Sequence, residues 1–533
     1  MHKIIALIFV VFFSAFVVRS AVTMSTIPFH DFDEAHRAEK AKKMKEYVSF
    51  LVPLTGSPQD RNPDLRVPLK ENPNLFLYYH PERPPFVYWM MIAATNIFGT
   101  SEWAYRLPSF LAGILTVGVL SFFILKFTKG VEISAFFIAL LSLITSGDLW
   151  LSSQYAQLDT SLTFFLFAAL LSLITYSENK KFIYILFSGL SFALAILSKG
   201  QPAIIFIFPL VFLFMSKKLM PRDIFRFFAS TGIILIPWFF LLEIYFELFR
   251  VLEIFTKFAV SSSAVEYSFI KAPFFWYIRW WWDTLRPGFT LFLALLIFDA
   301  VYKNFTWKKL AILSYIFGGL TIFSLSINKI WWYVLPLIPA IAYYIYLSSS
   351  DYLNKRSSGL INISLVIILA STPYFYAQTN TVILIYGACL TLISFILIFL
   401  RIPEILVRTA YFKEFLFCIA VFSSLAFFYG NFPKIVPYHR DTKFVAEYYK
   451  SLPGQKCLWI KDMPPETALF YSNAGEILTL TENIKLFPDC ENFLITPSDI
   501  EFDELNFQLK GQLYKLKNHK ILFQLGSMKL IRL

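Results

Sequence analysis

Long apolar runs dominate the first four-fifths of the chain. Residues 4–22 form an almost unbroken one. Others lie near 106–127, 131–146, 157–176, 181–197, 201–216, 227–248, 287–302, 308–326, 331–348, 358–377, 380–400 and 411–430. About 20 apolar helical residues cross the roughly 30 Å hydrocarbon core of a bilayer. The pattern therefore predicts about thirteen transmembrane helices, the first being retained and not a cleaved signal peptide. Phe86–Phe98 is apolar but short, and is expected to lie in the interface or to re-enter the membrane.

Two stretches interrupt this pattern, a first loop over residues 23–105 and a second over 249–286. Ile27 to Pro85 is the densest polar segment of the greasy first half, with acids and bases at both its ends. From about Asn431 the period changes. Short apolar runs at Cys457–Ile460, Ile477–Leu480, Asn492–Ile495, Ile521–Leu525 and Met528–Ile531 read as strands, and Thr442–Leu452 reads as a helix. The expected organisation is a transmembrane domain over 1–430 followed by a soluble α/β domain over 431–533.

Composition agrees with a polytopic membrane protein: 57% of the 533 residues are hydrophobic and 16% charged, against about 25% charged in soluble domains. The net charge of +12 reads as basic cytoplasmic loops and not as a nucleic-acid surface. With the N-terminus inside, Lys126 and Lys129, Lys180 and Lys181, Lys217 to Arg226, Lys303 to Lys309, Lys355 and Arg356, and Arg401 to Lys413 all fall on the cytoplasmic side. An odd number of spans then puts both long loops and the C-terminal domain outside, where a Cys457–Cys490 disulfide is chemically possible. Sequence leaves that pairing open.

The candidate chemistry collects on the external side. Asp31, Asp33 and Glu34 follow the first span directly, where crowded carboxylates suit a base or a metal; Asp33 also suits a helix N-cap. Glu82 and Arg83 precede Pro84-Pro85, and a guanidinium suits phosphate. Asp159 lies at the external end of a span, where an acid needs a purpose or a partner. Lys199 and Lys329 are basic residues on the side where such residues are scarce, and Arg279 sits among Trp276, Trp280, Trp281 and Trp282; each is a candidate for holding a phosphate or for snorkelling to headgroups. Glu82 with His80, or with His30 and His36, is a candidate set for a divalent zinc or magnesium ion. No nucleotide-binding glycine loop is present, which argues against a cytoplasmic nucleotide donor. Carboxylates and cations at one water–lipid boundary suit transfer of a group from a lipid phosphate. A transporter, the alternative of another class, would line a path through the midplane with its charges.

Ordered motifs also resemble the GT-C membrane glycosyltransferases, the ArnT-like aminoarabinose transferases and protein mannosyltransferases. Asp33-Glu34-Ala35-His36-Arg37-Ala38-Glu39 resembles that family's Asp-Glu-x-Arg-x-Ala-Glu. Glu82-Arg83-Pro84-Pro85-Phe86-Val87-Tyr88-Trp89 resembles Glu-Lys-Pro-Pro-Leu-x-Tyr-Trp, with Arg83 in place of Lys. Phe98-Gly99, Glu102, Ala104 to Ser109, Leu158-Asp159, Ser198-Lys199-Gly200 and Asn328-Lys329 with Tyr333 and Pro336 follow in the family's order. The resemblance implies a GT-C fold and inverting transfer of a sugar from undecaprenyl phosphate to a periplasmic acceptor, such as lipid A, a protein or a polysaccharide. It also implies a bacterial inner-membrane protein, expected to be a monomer. Asp33 would be the base, Asp159 and Glu82 its support, and Arg83 and Lys199 the phosphate-binding cations.

Overall fold

A computed structural model of the chain describes residues 2–29, 32–56, 66–68, 76–80, 83–127, 133–246, 273–285, 288–326, 329–353, 440–460, 465–472, 474, 477–479, 484–485, 490–498, 506–509, 512–515 and 520–533. The apolar runs become helices α1 (His2–Thr26), α4 (Glu102–Phe127), α5 (Ile133–Ile144), α7 (Leu158–Asn179), α8 (Phe182–Lys199), α10 (Pro221–Phe246), α13 (Trp307–Leu325) and α14 (Ile338–Leu353). Among the described residues six segments are long and apolar enough to cross a membrane, and α5 with the short α6 (Gly147–Ser153) makes a seventh bent by 55°. The chain is a multi-pass membrane protein.

Two expected spans are shorter than a crossing. The 201–216 run is a 3-10 turn, Gln201–Phe206, continued by α9 (Ile207–Met215), and the 287–302 run is α12 (Gly288–Val301). Six 3-10 and nine α residues reach about 25 Å, short of the roughly 30 Å core. The expected spans at 358–377, 380–400 and 411–430 lie outside the described residues.

α7 is the axis of the bundle, almost wholly buried, with α4, α8 and the Trp331–Asp351 segment against it. Small residues set the closest crossings. A Cβ at Gly189 of α8 would stand 2.6 Å from the Phe227 carbonyl of α10, so only glycine admits that approach.

The first loop folds instead of wandering. α2 (Phe32–Glu46) carries Asp33 and Glu34 in its first turn, where carboxylates complement the helix dipole. A small antiparallel sheet follows, with β3 (Phe76–Tyr79) between β1 (Leu54–Thr55) and β2 (Arg66–Pro68). Pro84-Pro85 then leads into α3 (Phe86–Phe98), 13 residues long, as expected of an interfacial helix. In the second loop α11 (Trp276–Thr284) carries the tryptophan run, and Trp280 Nε1 donates to the buried Asp148 at 3.0 Å.

The tail is an α/β unit of α15 (Arg440–Ser451), α16 (Pro465–Ser472) and a mixed five-stranded sheet. β4 (Lys456–Ile460) lies between β5 (Ile477–Thr479) and β7 (Glu491–Pro497), both parallel to it; the hairpin β10 (Lys520–Leu525) and β11 (Met528–Arg532) adds antiparallel to β7. All five expected strands are there. Three further short strands, β6 (Ile484–Lys485), β8 (Asn506–Leu509) and β9 (Gln512–Lys515), form a second small sheet. A disulfide joins Cys457 of β4 to Cys490 just before β7, with Cα atoms 5.8 Å apart.

Candidate active site

The position of Asp33 is set by its neighbour. Glu34 and Arg106, both fully buried, form a two-pronged ion pair, with Arg106 Nε donating to Oε1 at 2.6 Å and Nη2 donating to Oε2 at 3.0 Å. Such fork-to-carboxylate geometry is strong and directional. The remaining guanidinium hydrogens go to the carbonyls of Met24, Ile27 and Pro28, so Arg106 also closes the turn between α1 and α2. Glu34 Oε1 further accepts from the Ala156 N–H at 2.9 Å, tying the start of α2 to the loop before α7. Buried charges are tolerated because every partner is satisfied.

Asp33, one residue earlier, points to a more open place. Arg37 Nη2 donates to its Oδ2 at 2.9 Å, one helical turn on. Burial alone would raise the pKa of Asp33. The charges of Arg37, His36, Arg83 and Lys199 outweigh that effect and hold the carboxyl below its ordinary value. These cations come from three separate parts of the chain: α2, the turn before α3 and the end of α8.

Lys199 is the last residue of α8, and local backbone chemistry places it. Gly200 has φ 81° and ψ −112°, a conformation open to glycine alone, and ends α8 so that the chain turns into the 3-10 segment. Lys199 Nζ pairs with Asp159 Oδ1 at 2.5 Å and lies 4.8 Å from the centre of the Tyr333 ring. Asp159 is in the first turn of α7, and its second oxygen is buried with no hydrogen-bond partner among the described residues. The ring hydroxyl of Tyr333 lies in the field of Asp159, Arg83, Asp33 and Arg37 together. Asp33, Arg83, Asp159 and Lys199 thus meet at one end of the bundle.

The other sequence candidates divide. His80 is buried, its ring edge-on to His36 with centroids 6.4 Å apart. Glu82, like His30 and Asp31, lies outside the described residues. Among the described residues no three His, Cys, Asp or Glu side chains are grouped to hold a metal. Lys329 is buried and donates to the Ser326 carbonyl at 2.8 Å. Arg279 is exposed on α11 and makes no ion pair among the described residues. Sequence reading did not single out Arg37, Arg106 or Tyr333 as site members, and it offered His36 only as a metal ligand. The i,i+4 spacing of Asp33 and Arg37 was visible; the Arg106–Glu34 pair, 72 residues apart, had no local signal.

Comparison with known proteins bears on the fold that carries these residues. Residues 82–242 match the family described as dolichyl-phosphate-mannose-protein mannosyltransferase. An uncharacterized protein of Aquifex aeolicus (strain VF5) is 25% identical over 63% of the chain; the match spans 62% of that relative's length, under two thirds. A second Aquifex aeolicus uncharacterized protein is 26% identical over 56% of the chain and 68% of its own length. Crystal structures of ArnT from Cupriavidus metallidurans, in the apo state and bound to undecaprenyl phosphate, each superpose with a TM-score of 0.64. They cover 98% of this chain and 97% of theirs, at 14% and 15% sequence identity. The chain therefore has the fold of ArnT along its whole length, and its residues 82–242 are similar to the mannosyltransferase family.

Proposed function

We propose that the chain transfers a sugar from a polyprenyl-phosphate carrier to an acceptor hydroxyl at the outer water–lipid boundary, with inversion at the anomeric carbon. The observation that carries this reading is the meeting of an ionised carboxylate, Asp33, with Arg37, Arg83 and Lys199 at one end of the bundle. ArnT, which shares the fold, was crystallised with undecaprenyl phosphate.

In this reading the acceptor oxygen attacks the anomeric carbon, and the bond from that carbon to the phosphate oxygen breaks. The electron pair leaves with the polyprenyl phosphate, and the acceptor proton goes to Asp33. Arg83 and Lys199 take up the charge that grows on the departing phosphate. The cations that keep Asp33 ionised also make it a weak base. The donor's anionic phosphate offsets them on binding, so Asp33 gains proton affinity only when there is a sugar to transfer. Asp159 aims Lys199 at the phosphate through their ion pair. Glu82 and Lys329 support this site, and Arg279 on α11 meets headgroups at its rim.

The favoured acceptor is lipid A, which makes the protein a periplasm-facing enzyme of the bacterial inner membrane, working as a monomer; the Cys457–Cys490 disulfide supports a C-terminal domain in an oxidising compartment. Mass spectrometry of envelope lipids from cells with and without the protein tests this. A sugar-sized mass on lipid A that needs both the protein and Asp33 is the expected result. The same mass on a protein or polysaccharide would replace the acceptor, and no protein-dependent glycan would sink the proposal.

A further inference from the structure

We infer that the C-terminal α/β domain is a working part of the site, and that Tyr471 is a positioning residue for Asp33. The inference rests on the reading of Asp33 as the base.

The domain grips both ends of the helix that carries Asp33. At the leading end the Tyr471 hydroxyl accepts from the Phe29 N–H at 3.2 Å and donates to Glu102 Oε1 at 3.0 Å. Lys443 of the same domain pairs with that Glu102 oxygen at 2.6 Å. The Phe29 ring packs edge-on against Phe470 at 4.8 Å between centroids and lies under the Arg106 guanidinium at 5.4 Å. Arg106 in turn holds Glu34, the neighbour of Asp33. At the other end Lys42 Nζ donates to the Phe470 carbonyl at 3.3 Å. Between these grips, Ala35, Ala38, Ala41 and Met44 line one face of α2 and share a single apolar core with Val445, Ala446, Ala468 and Leu469 of the domain. Alanines at that spacing let the helices approach closely, so a shift of the domain moves α2 with it.

Phosphate binding depends on the domain less, because Lys199 stands on α8, outside that shared core, and only Arg83, on the turn before α3, adjoins it. Loosening the grip therefore separates two measurements. Tyr471→Phe removes the shared hydroxyl and keeps the ring. It is expected to lower the mass-spectrometric product yield in cells tenfold or more. The purified full chain should bind undecaprenyl phosphate as the parent does and melt within a few degrees of it. Asp33 faces Arg37 and His36 from its own helix, Arg83 from the turn before α3 and Lys199 from α8. Moving it away from them raises its pKa, so the acid limb of product formation in isolated membranes should move to higher pH. Lys443→Arg should keep activity and Lys443→Met should lose it; if Tyr471→Phe does not accumulate folded, this pair carries the comparison. Parent-level product and an unmoved acid limb in the tested variant would overturn the inference, as would an equal loss of undecaprenyl phosphate binding. Full activity in Asp33→Asn would instead strike the proposed base and leave these measurements to be read apart from it.

Discussion

A carboxylate held below its ordinary pKa by cations has a definite pH signature. Asp33 stays ionised until the pH falls through its depressed folded value, so its contribution to stability is present above the unfolded value and lost below the folded one. Asp33→Asn keeps the size of the side chain and removes the charge. Loss of general-base catalysis is worth about 10²–10⁴ in rate, with insertion and folding retained; a variant as active as the parent would remove Asp33 from the mechanism. Lys199 makes a different contribution. Its hydrogen bond to a phosphate is charge-assisted, worth about 1.5–3 kcal/mol, so Lys199→Gln should weaken undecaprenyl phosphate binding about ten- to hundredfold. Unchanged affinity on titration would contradict the phosphate role. Asp33 stood out in the sequence as one of three crowded carboxylates, and Lys199 as a cation on the side where cations are scarce. Their mutual approach did not, since no local rule links α2 to the end of α8.

At the scale of elements, the first turn of α2 is anchored by a buried pair. Glu34→Gln would leave the Arg106 guanidinium buried without its counter-charge, a loss of about 3–5 kcal/mol. Its melting temperature should drop by many degrees; a parent-like melting curve would show that the pair is dispensable. Gly200→Ala forces a Cβ into a positive-φ turn and should misplace Lys199, which lower undecaprenyl phosphate affinity would report. Much of the element level was legible. The helix starts and ends between 102 and 199 follow the apolar runs to within a few residues, and the five-stranded sheet follows the short runs. The first-loop sheet and the three extra C-terminal strands were not legible, because strands of two to four residues are too short for a period-two pattern. The bend between α5 and α6 was missed for a related reason: hydropathy measures how apolar a run is, not whether it is straight.

For the whole molecule, the C-terminal unit is stapled as well as docked. The Cys457–Cys490 bridge closes a separation of 33 residues, worth about 3–4 kcal/mol by chain entropy. The double Cys→Ser variant should melt earlier and, through the grip on α2, form less product; equal stability under reducing and oxidising conditions would argue against the bridge. A cysteine placed at the exposed Lys450 should react with a membrane-impermeant maleimide in intact spheroplasts if the domain faces outward. Labelling only after lysis would invert the topology.

Hydropathy along the chain was enough to determine a many-helix membrane protein with a folded tail and a polar first loop, because burial in lipid is a property of each segment by itself. The tertiary structure alone decided that Glu34 is a clamp while Asp33 is the open carboxylate, that Lys199 faces Asp159 and Tyr333, and that Tyr471 reaches back to Phe29. Those relations depend on which helix ends meet, and long-range packing sets that meeting where no neighbouring residue can announce it.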